Sequence, residues 1–337
     1  MQKGGERCGQ VSSSSRFFYL TFLRSSAMQR KQSFLWGGAL VLTLSSAALA
    51  HVGITVYCPQ VPDPSAMKID GKDNDWGWLD PSFVTTPAEC FTAGGETVAK
   101  SDYDFAYKSG WSPLPDNRFY FFYRVQDDTL IRHEDEPKRA WNDDCIQITF
   151  DADHSGGDFL GENLEQVHNA TRFHMRVLPK PNEEVVFNSM TEYIDMPSLR
   201  WTEDMFEGKP TGKESIEVAW TLLPAGAADL STNVSYTFEA AFAFYDLYGP
   251  TKAESKRHIF TADQVTHVGV RPLDADGCNA DGNCGAKHQF YPLGSSTGQD
   301  QKGDQMPDYY MLPGEGGTAV ESVTWGRIKS HLDQEVR

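Results

Sequence analysis

The chain has 337 residues, with 47 acidic against 30 basic side chains and a formal net charge of −17. That balance argues against nucleic acid and anionic lipid as partners, since both call for basic patches. It suits a soluble exported protein on which cation sites are readily built.

From Met28, Arg30 and Lys31 make a basic start, Phe34–Leu44 is apolar, and Ala48 and Ala50 supply small residues at a cleavage position. This is the three-part layout of a secretory signal, with an apolar core too short for a membrane span. Residues 1–27 read as an extension upstream of a better start at Met28. The mature chain is expected to be 51–337, one domain, secreted or periplasmic. Without the six basic residues and one acid of 1–50, its net charge is about −22.

No repeat and no long periodic helix is visible. Short β-rich runs separated by turn residues follow instead, the pattern of an antiparallel β-sandwich with long polar loops. Strands are expected at Phe119–Val125, Cys145–Phe150, Arg172–Leu178, Glu184–Ser189, Ser215–Trp220, Tyr236–Tyr245 and Ser322–Ile328. Several alternate apolar with polar residues, as in a strand covered on one face, and aromatics are frequent in them. Pro113–Asn117 reads as a turn. Segments 151–171 and 267–318, rich in Gly, Asp and Asn, read as long loops. Leu222–Leu230 reads as one short helical turn.

Five cysteines follow residue 50. Export permits disulfides; Cys278 with Cys284, and Cys58 with Cys90, are the pairings the positions suggest. Cys145 sits alone in a strand and reads as a small packing residue. Trp76, Trp78, Trp220 and Trp325 read as core, whereas Trp111 and Trp201 fit either core or surface.

The stretch Trp141–Glu162 (WNDDCIQITFDADHSGGDFLGE) concentrates the chemistry. Trp141 precedes a strand and is followed by three polar residues, a poor place for a core side chain and a good one for a ring that stacks on a sugar. Gln147 alternates with Ile146 and Ile148 and faces away from them. Beyond the strand, Asp151, Asp153, Ser155, Gly157 and Glu162 fall at calcium-loop spacing, with Gly156 at the turn position. The loop is entered from a strand rather than a helix. Calcium is the expected cofactor. No G-x-S-x-G, H-E-x-x-H or phosphate loop is present, so no enzymatic activity is expected. Cleavage after Ala50 would leave His51 first, with an amine and imidazole able to chelate copper, but nothing fixes the second histidine such a site needs.

Lys68-Ile69-Asp70-Gly71-Lys72 with Trp76 and Trp78 resembles the opening of family 9 carbohydrate-binding modules. Asn117–Asp128, Trp141–Asp151, Ile216–Trp220, Phe238–Asp246 and Ser322–Ile328 resemble later strands of that family, in order, over roughly 68–329. The resemblance implies a β-sandwich that clamps a sugar between two aromatic rings. Trp141 falls on the first clamp position. Gln147, His174 and Arg176 fall where polar contacts to hydroxyls are made. Tyr309 or Tyr310 stands where the second clamp tryptophan is missing. The implied function is non-catalytic binding of an oligo- or polysaccharide, with a glycoside hydrolase or a surface complex as a possible partner.

Two other readings stay open. Sandwiches of this kind also occur as haem-binding electron-transfer subunits of periplasmic oxidoreductases, for which Met175, His174 or Met190 would be axial ligands. A structural β-sandwich without a ligand is the third.

Overall fold

The computed structural model describes residues 54–314, except 136, 160–165, 167, 179–185, 189–215, 250, 277–284 and 286. The expected strand Ser322–Ile328, Trp201, Trp325, Cys278, Cys284, Met190, Glu162 and His51 lie outside the described residues.

Fourteen strands form the described fold. They are β1 (Thr55–Cys58), β2 (Cys90–Thr92), β3 (Tyr103–Trp111), β4 (Phe119–Thr129), β5 (Cys145–Asp151), β6 (Ala170–Met175) and β7 (Val186–Asn188), then β8 (Ile216–Leu223), β9 (Thr232–Phe242), β10 (Tyr245–Leu247), β11 (Lys256–Arg257), β12 (Val265–Asp274), β13 (His288–Pro292) and β14 (Asp308–Met311). One sheet runs β1-β14-β12-β5-β6-β7, with β13 and β2 branching from β12. The other runs β3-β4-β9-β8, and β10-β11 make a small ribbon. This is an all-β sandwich. Its strand pairings are antiparallel, as expected, except that the edge strand β1 lies parallel to β14.

Alternation explains how the two sheets face each other. Phe119, Phe121, Tyr123 and Val125 of β4 turn inward to meet Ile146, Ile148 and Phe150 of β5, with Val268 and Val270 of β12 beside them. Phe150 is the hub, its ring centroid within 5.8 Å of those of Phe119, Phe173, Phe242 and Phe244. The other face of β4 and β9 carries a second apolar layer. There Tyr120, Phe122 and Ala241 are covered by Val61, Trp76 and Leu79.

One buried acid pins that cover. Glu239 of β9 accepts backbone hydrogen bonds from Asp70 and Gly71, both at 2.9 Å, and one from the Trp76 indole at 2.8 Å. Gly71 has φ +77°, and a Cβ there would sit 3.1 Å from the Trp220 carbonyl carbon. A side chain is thus excluded both by conformation and by space. The Asp70-Gly71 pair and Trp76 are therefore one device: a turn and a ring that close on a single carboxylate.

Three expectations need correction. Segment 267–318 is not one loop, since it holds most of β12 and all of β13 and β14. Polar residues on the outward face of β12 (His267, Arg271) hide the period of two. Leu222 and Leu223 belong to β8, and 224–230 form turns rather than a helix, because Pro224 cannot donate a ladder hydrogen bond. Cys58 and Cys90 are free thiols, as is Cys145. Cys58 points into the core from β1, and burial pushes the Cys58, Cys90 and Cys145 thiols up to about 12, which leaves them protonated and unreactive.

Candidate functional site

The outer face of β12-β5-β6 carries the polar residues that alternate with the core. Register places Gln147 opposite both His174 and Arg271. The three meet: Gln147 Oε1 lies 2.9 Å from His174 Nε2 and accepts from Arg271 Nη2 at 2.5 Å. Arg271 also donates to Tyr291 Oη at 3.1 Å and to Asp300 Oδ2 at 3.3 Å. Arg172 donates to the Asp300 carbonyl at 2.9 Å, so one acidic residue steadies two guanidinium groups. The segment carrying Gln299 and Asp300 lies on this face because Gly269 lets it approach. A Cβ at Gly269 would stand 3.1 Å from the Gln299 carbonyl oxygen.

Trp141 is half-buried just before β5, and its ring meets the His174 ring edge-on at 5.6 Å. The residues after it explain how it is held. Asp143 is fully buried and accepts from Arg176 at 2.9 Å and Arg132 at 3.1 Å. It also takes the backbone N–H groups of His133 at 3.0 Å and Glu134 at 2.9 Å. Asp143 thereby fixes both the loop of Trp141 and the head of Arg176. Sequence reading passed over it as one more polar residue. Its signal was its place directly after the aromatic, in a strand start that has no reason to bury a charge without a partner.

Gln147 and His174 are each 1% exposed, so this outer strand face is a covered polar layer. Burial, then the charges of Arg172, Arg271 and Arg176, push the His174 imidazole well below its usual range. His174 is therefore neutral, with one ring nitrogen a donor and the other an acceptor. Nε2 is engaged with Gln147, whereas His174 Nδ1 and the Gln147 amide nitrogen have no hydrogen-bond partner among the described residues. A donor and an acceptor thus stand unused on neighbouring side chains beside a half-buried indole.

The second clamp position is corrected by the fold. Tyr309 is buried between the sheets against Phe119, because β14 turns that residue inward. Tyr310 turns outward, but it packs against Tyr57 and donates to Asp263. It pairs with Val265, six residues along β12 from the Arg271 that faces Gln147, roughly 20 Å away. Neither tyrosine faces Trp141. For the haem reading, Met175 points into the core and His174 to the outer face, as successive strand residues must, so these two do not flank one haem.

The loop read as calcium-binding lies at the far end of β5. Asp151 Oδ2 meets His267 Nδ1 and the Gly156 N–H, each at 2.8 Å. Asp151 Oδ1 accepts from the Ser155 N–H at 3.3 Å and hydroxyl at 3.1 Å. Asp153 accepts from the same Ser155 N–H at 3.2 Å, and Gly157 continues the turn at φ +95°. Burial draws the His267 imidazole down, but hydrogen bonds to Asp151 and Asp308 outweigh it and hold it up at about 9. The described residues of this loop thus form a turn closed by its own hydrogen bonds, with Asp151, Asp153, Ser155 and Gly157 on it.

No protein-family description matches the chain, and no curated protein matches it. Among solved structures it is similar to a family 9 carbohydrate-binding module from Caldicellulosiruptor kristjanssonii in complex with cellotriose. That match has 13% identity and a TM-score of 0.47, and covers 79% of this chain and 97% of the other. The same kind of module in complex with glucose matches at 12% identity and a TM-score of 0.47, covering 79% of this chain and 99% of the other. Among the described residues no helix is long and apolar enough to cross a membrane.

Proposed function

We propose that this protein is an exported, non-catalytic carbohydrate-binding protein whose site lies on the outer face of β5 and β6 beside Trp141. One observation carries the reading. The unpartnered Gln147 amide and His174 Nδ1 supply a neutral donor and a neutral acceptor next to an aromatic edge. A sugar hydroxyl is both acceptor and donor, and so satisfies the two together, while the C–H face of the ring stacks on the indole. Arg176, steadied by Asp143, supplies a further donor. The six motifs in family order support the same reading from the sequence side. Because Gln147 and His174 are covered, sugar binding requires this face to open beside Trp141. Binding is accordingly of modest affinity.

Calorimetric titration of the purified chain with mono-, di- and polysaccharides tests this. Saturable binding that weakens at least about tenfold in Trp141→Ala, or about 1.4 kcal/mol, supports it. A flat response across the panel from folded protein sinks it.

A further inference from the structure

Three buried carboxylates converge at the end of the sandwich from which β5 starts. Asp127 comes from the end of β4, Asp144 from the residue before β5, and Asp274 from the end of β12. One oxygen from each lies within 4.8 Å of the others. All three residues are buried, Asp274 to 1% exposure.

Their hydrogen bonds leave the centre unserved. Asp144 accepts the Ile131 N–H at 2.5 Å and the Ala275 N–H at 2.7 Å. Asp127 Oδ1 accepts the Thr129 N–H at 2.9 Å, but its Oδ2 has no partner. Asp274 has none on either oxygen. The surroundings add more negative charge. Burial, then Asp127, Asp276, Asp102 and Asp128, hold the Asp274 carboxyl up at about 9. Burial also leads in raising Asp127 to about 7 and in raising Asp144 well above the usual range. Lys287 and His288 also stand at this end: Lys287 feels the charge of Asp274, and a His288 ring nitrogen lies within 4.8 Å of an oxygen of Asp274, Asp102 and Asp276.

Such a cluster persists only if protons or a cation neutralise it. A cation at the centre takes an oxygen from each residue at once. Three carboxylate oxygens within 4.8 Å of one another make an all-oxygen donor set, which suits a hard divalent cation, and calcium tolerates irregular geometry best among these. We propose that Asp127, Asp144 and Asp274 hold one hard divalent cation, tested here as calcium, at a site separate from the Asp151–Glu162 loop. It joins β4 of one sheet to β5 and β12 of the other. Through Asp144 it also braces the turn that carries Trp141 and Asp143.

The full chain, stripped with a chelator, is titrated with calcium chloride by calorimetry. Terbium chloride is titrated in parallel, with luminescence excited through tyrosine, since Tyr103 and Tyr123 feel the charge of Asp274. The expected result is one calcium per chain, tyrosine-sensitised terbium emission, and a higher Tm with calcium. Asp274→Asn weakens binding at least tenfold, and Asp153→Asn leaves it in place. Where Asp274→Asn does not fold, Asp127→Asn is read instead. No binding by the wild type, or loss of binding in Asp153→Asn but not in Asp274→Asn, overturns the proposal.

Discussion

Glu239→Gln isolates the acid that closes the N-terminal segment over the β4-β9 face. In the wild type one carboxylate oxygen serves the Asp70 and Gly71 N–H groups and the other serves the Trp76 indole. Glutamine keeps the shape but has only one accepting oxygen. If that oxygen faces the two backbone groups, its NH2 confronts the indole N–H, and the reverse orientation strands both backbone groups. Hydrogen bonds to a charged acceptor contribute about 1.5–3 kcal/mol each. Burial raises the Glu239 carboxyl above its usual range, so removing the charge returns part of that loss. The net cost is about 2–3 kcal/mol, or a fall in Tm of roughly 4–12 °C for a domain of this size. Urea unfolding followed by tryptophan fluorescence measures it, because Trp76 stacks on Trp78 at 5.9 Å and the pair reports on this layer. A change below about 0.5 kcal/mol, within the range of ordinary surface substitutions, would refute the idea that this carboxylate is the clasp.

Other outcomes follow from the same geometry. His267 is held at about 9 in the fold, above the unfolded value of about 6.5. The stability it gives is therefore complete below about pH 6.5 and lost as pH rises through about 9, to the extent of ~3 kcal/mol; His267→Gln should flatten that part of the stability–pH curve. For the cation-free protein, Asp274 and Asp127 have raised values of about 9 and about 7. Protonated, they cost little, so stability falls as pH climbs from about 4 to about 9, and calcium should restore it; a pH-independent Tm in chelator contradicts this. Phe150→Ala removes the ring at the hub of five aromatics and should cost about 3–5 kcal/mol by urea unfolding.

The sequence shows the sandwich where strands keep their period. β5 alternates cleanly, so the second half of Trp141–Asp151 states its inward and outward faces residue by residue, whereas the first half of β4 is aromatic throughout because both of its faces are covered. β12 was hidden because the residues it turns away from the core are His267, Gly269 and Arg271, and because Pro272 looks like a breaker. In truth Pro272 pairs opposite Ile146. Of the residues expected to contact a sugar, Trp141, Gln147, His174 and Arg176 lie together on one face, as strand alternation implies. It was not legible in Tyr309 and Tyr310, because a four-residue strand gives no phase from which to tell in from out. Asp127, Asp144 and Asp274 carry no signal of spacing, since they come from three different strand ends and only register brings them together. Asp151 matched a cation loop by spacing, yet its strand partner His267 lies more than 100 residues away and changes the chemistry of that loop.

The central claim is that a sugar is bound at Gln147 and His174 beside Trp141. The most direct measurement is a nitrogen NMR titration of histidine-labelled protein with the oligosaccharide that binds best in calorimetry. The account predicts that His174 titrates as a neutral ring and that its Nδ1 resonance shifts saturably with sugar, with the same midpoint as the heat. A His174 signal that stays fixed while the sugar binds would place the ligand elsewhere and contradict the account.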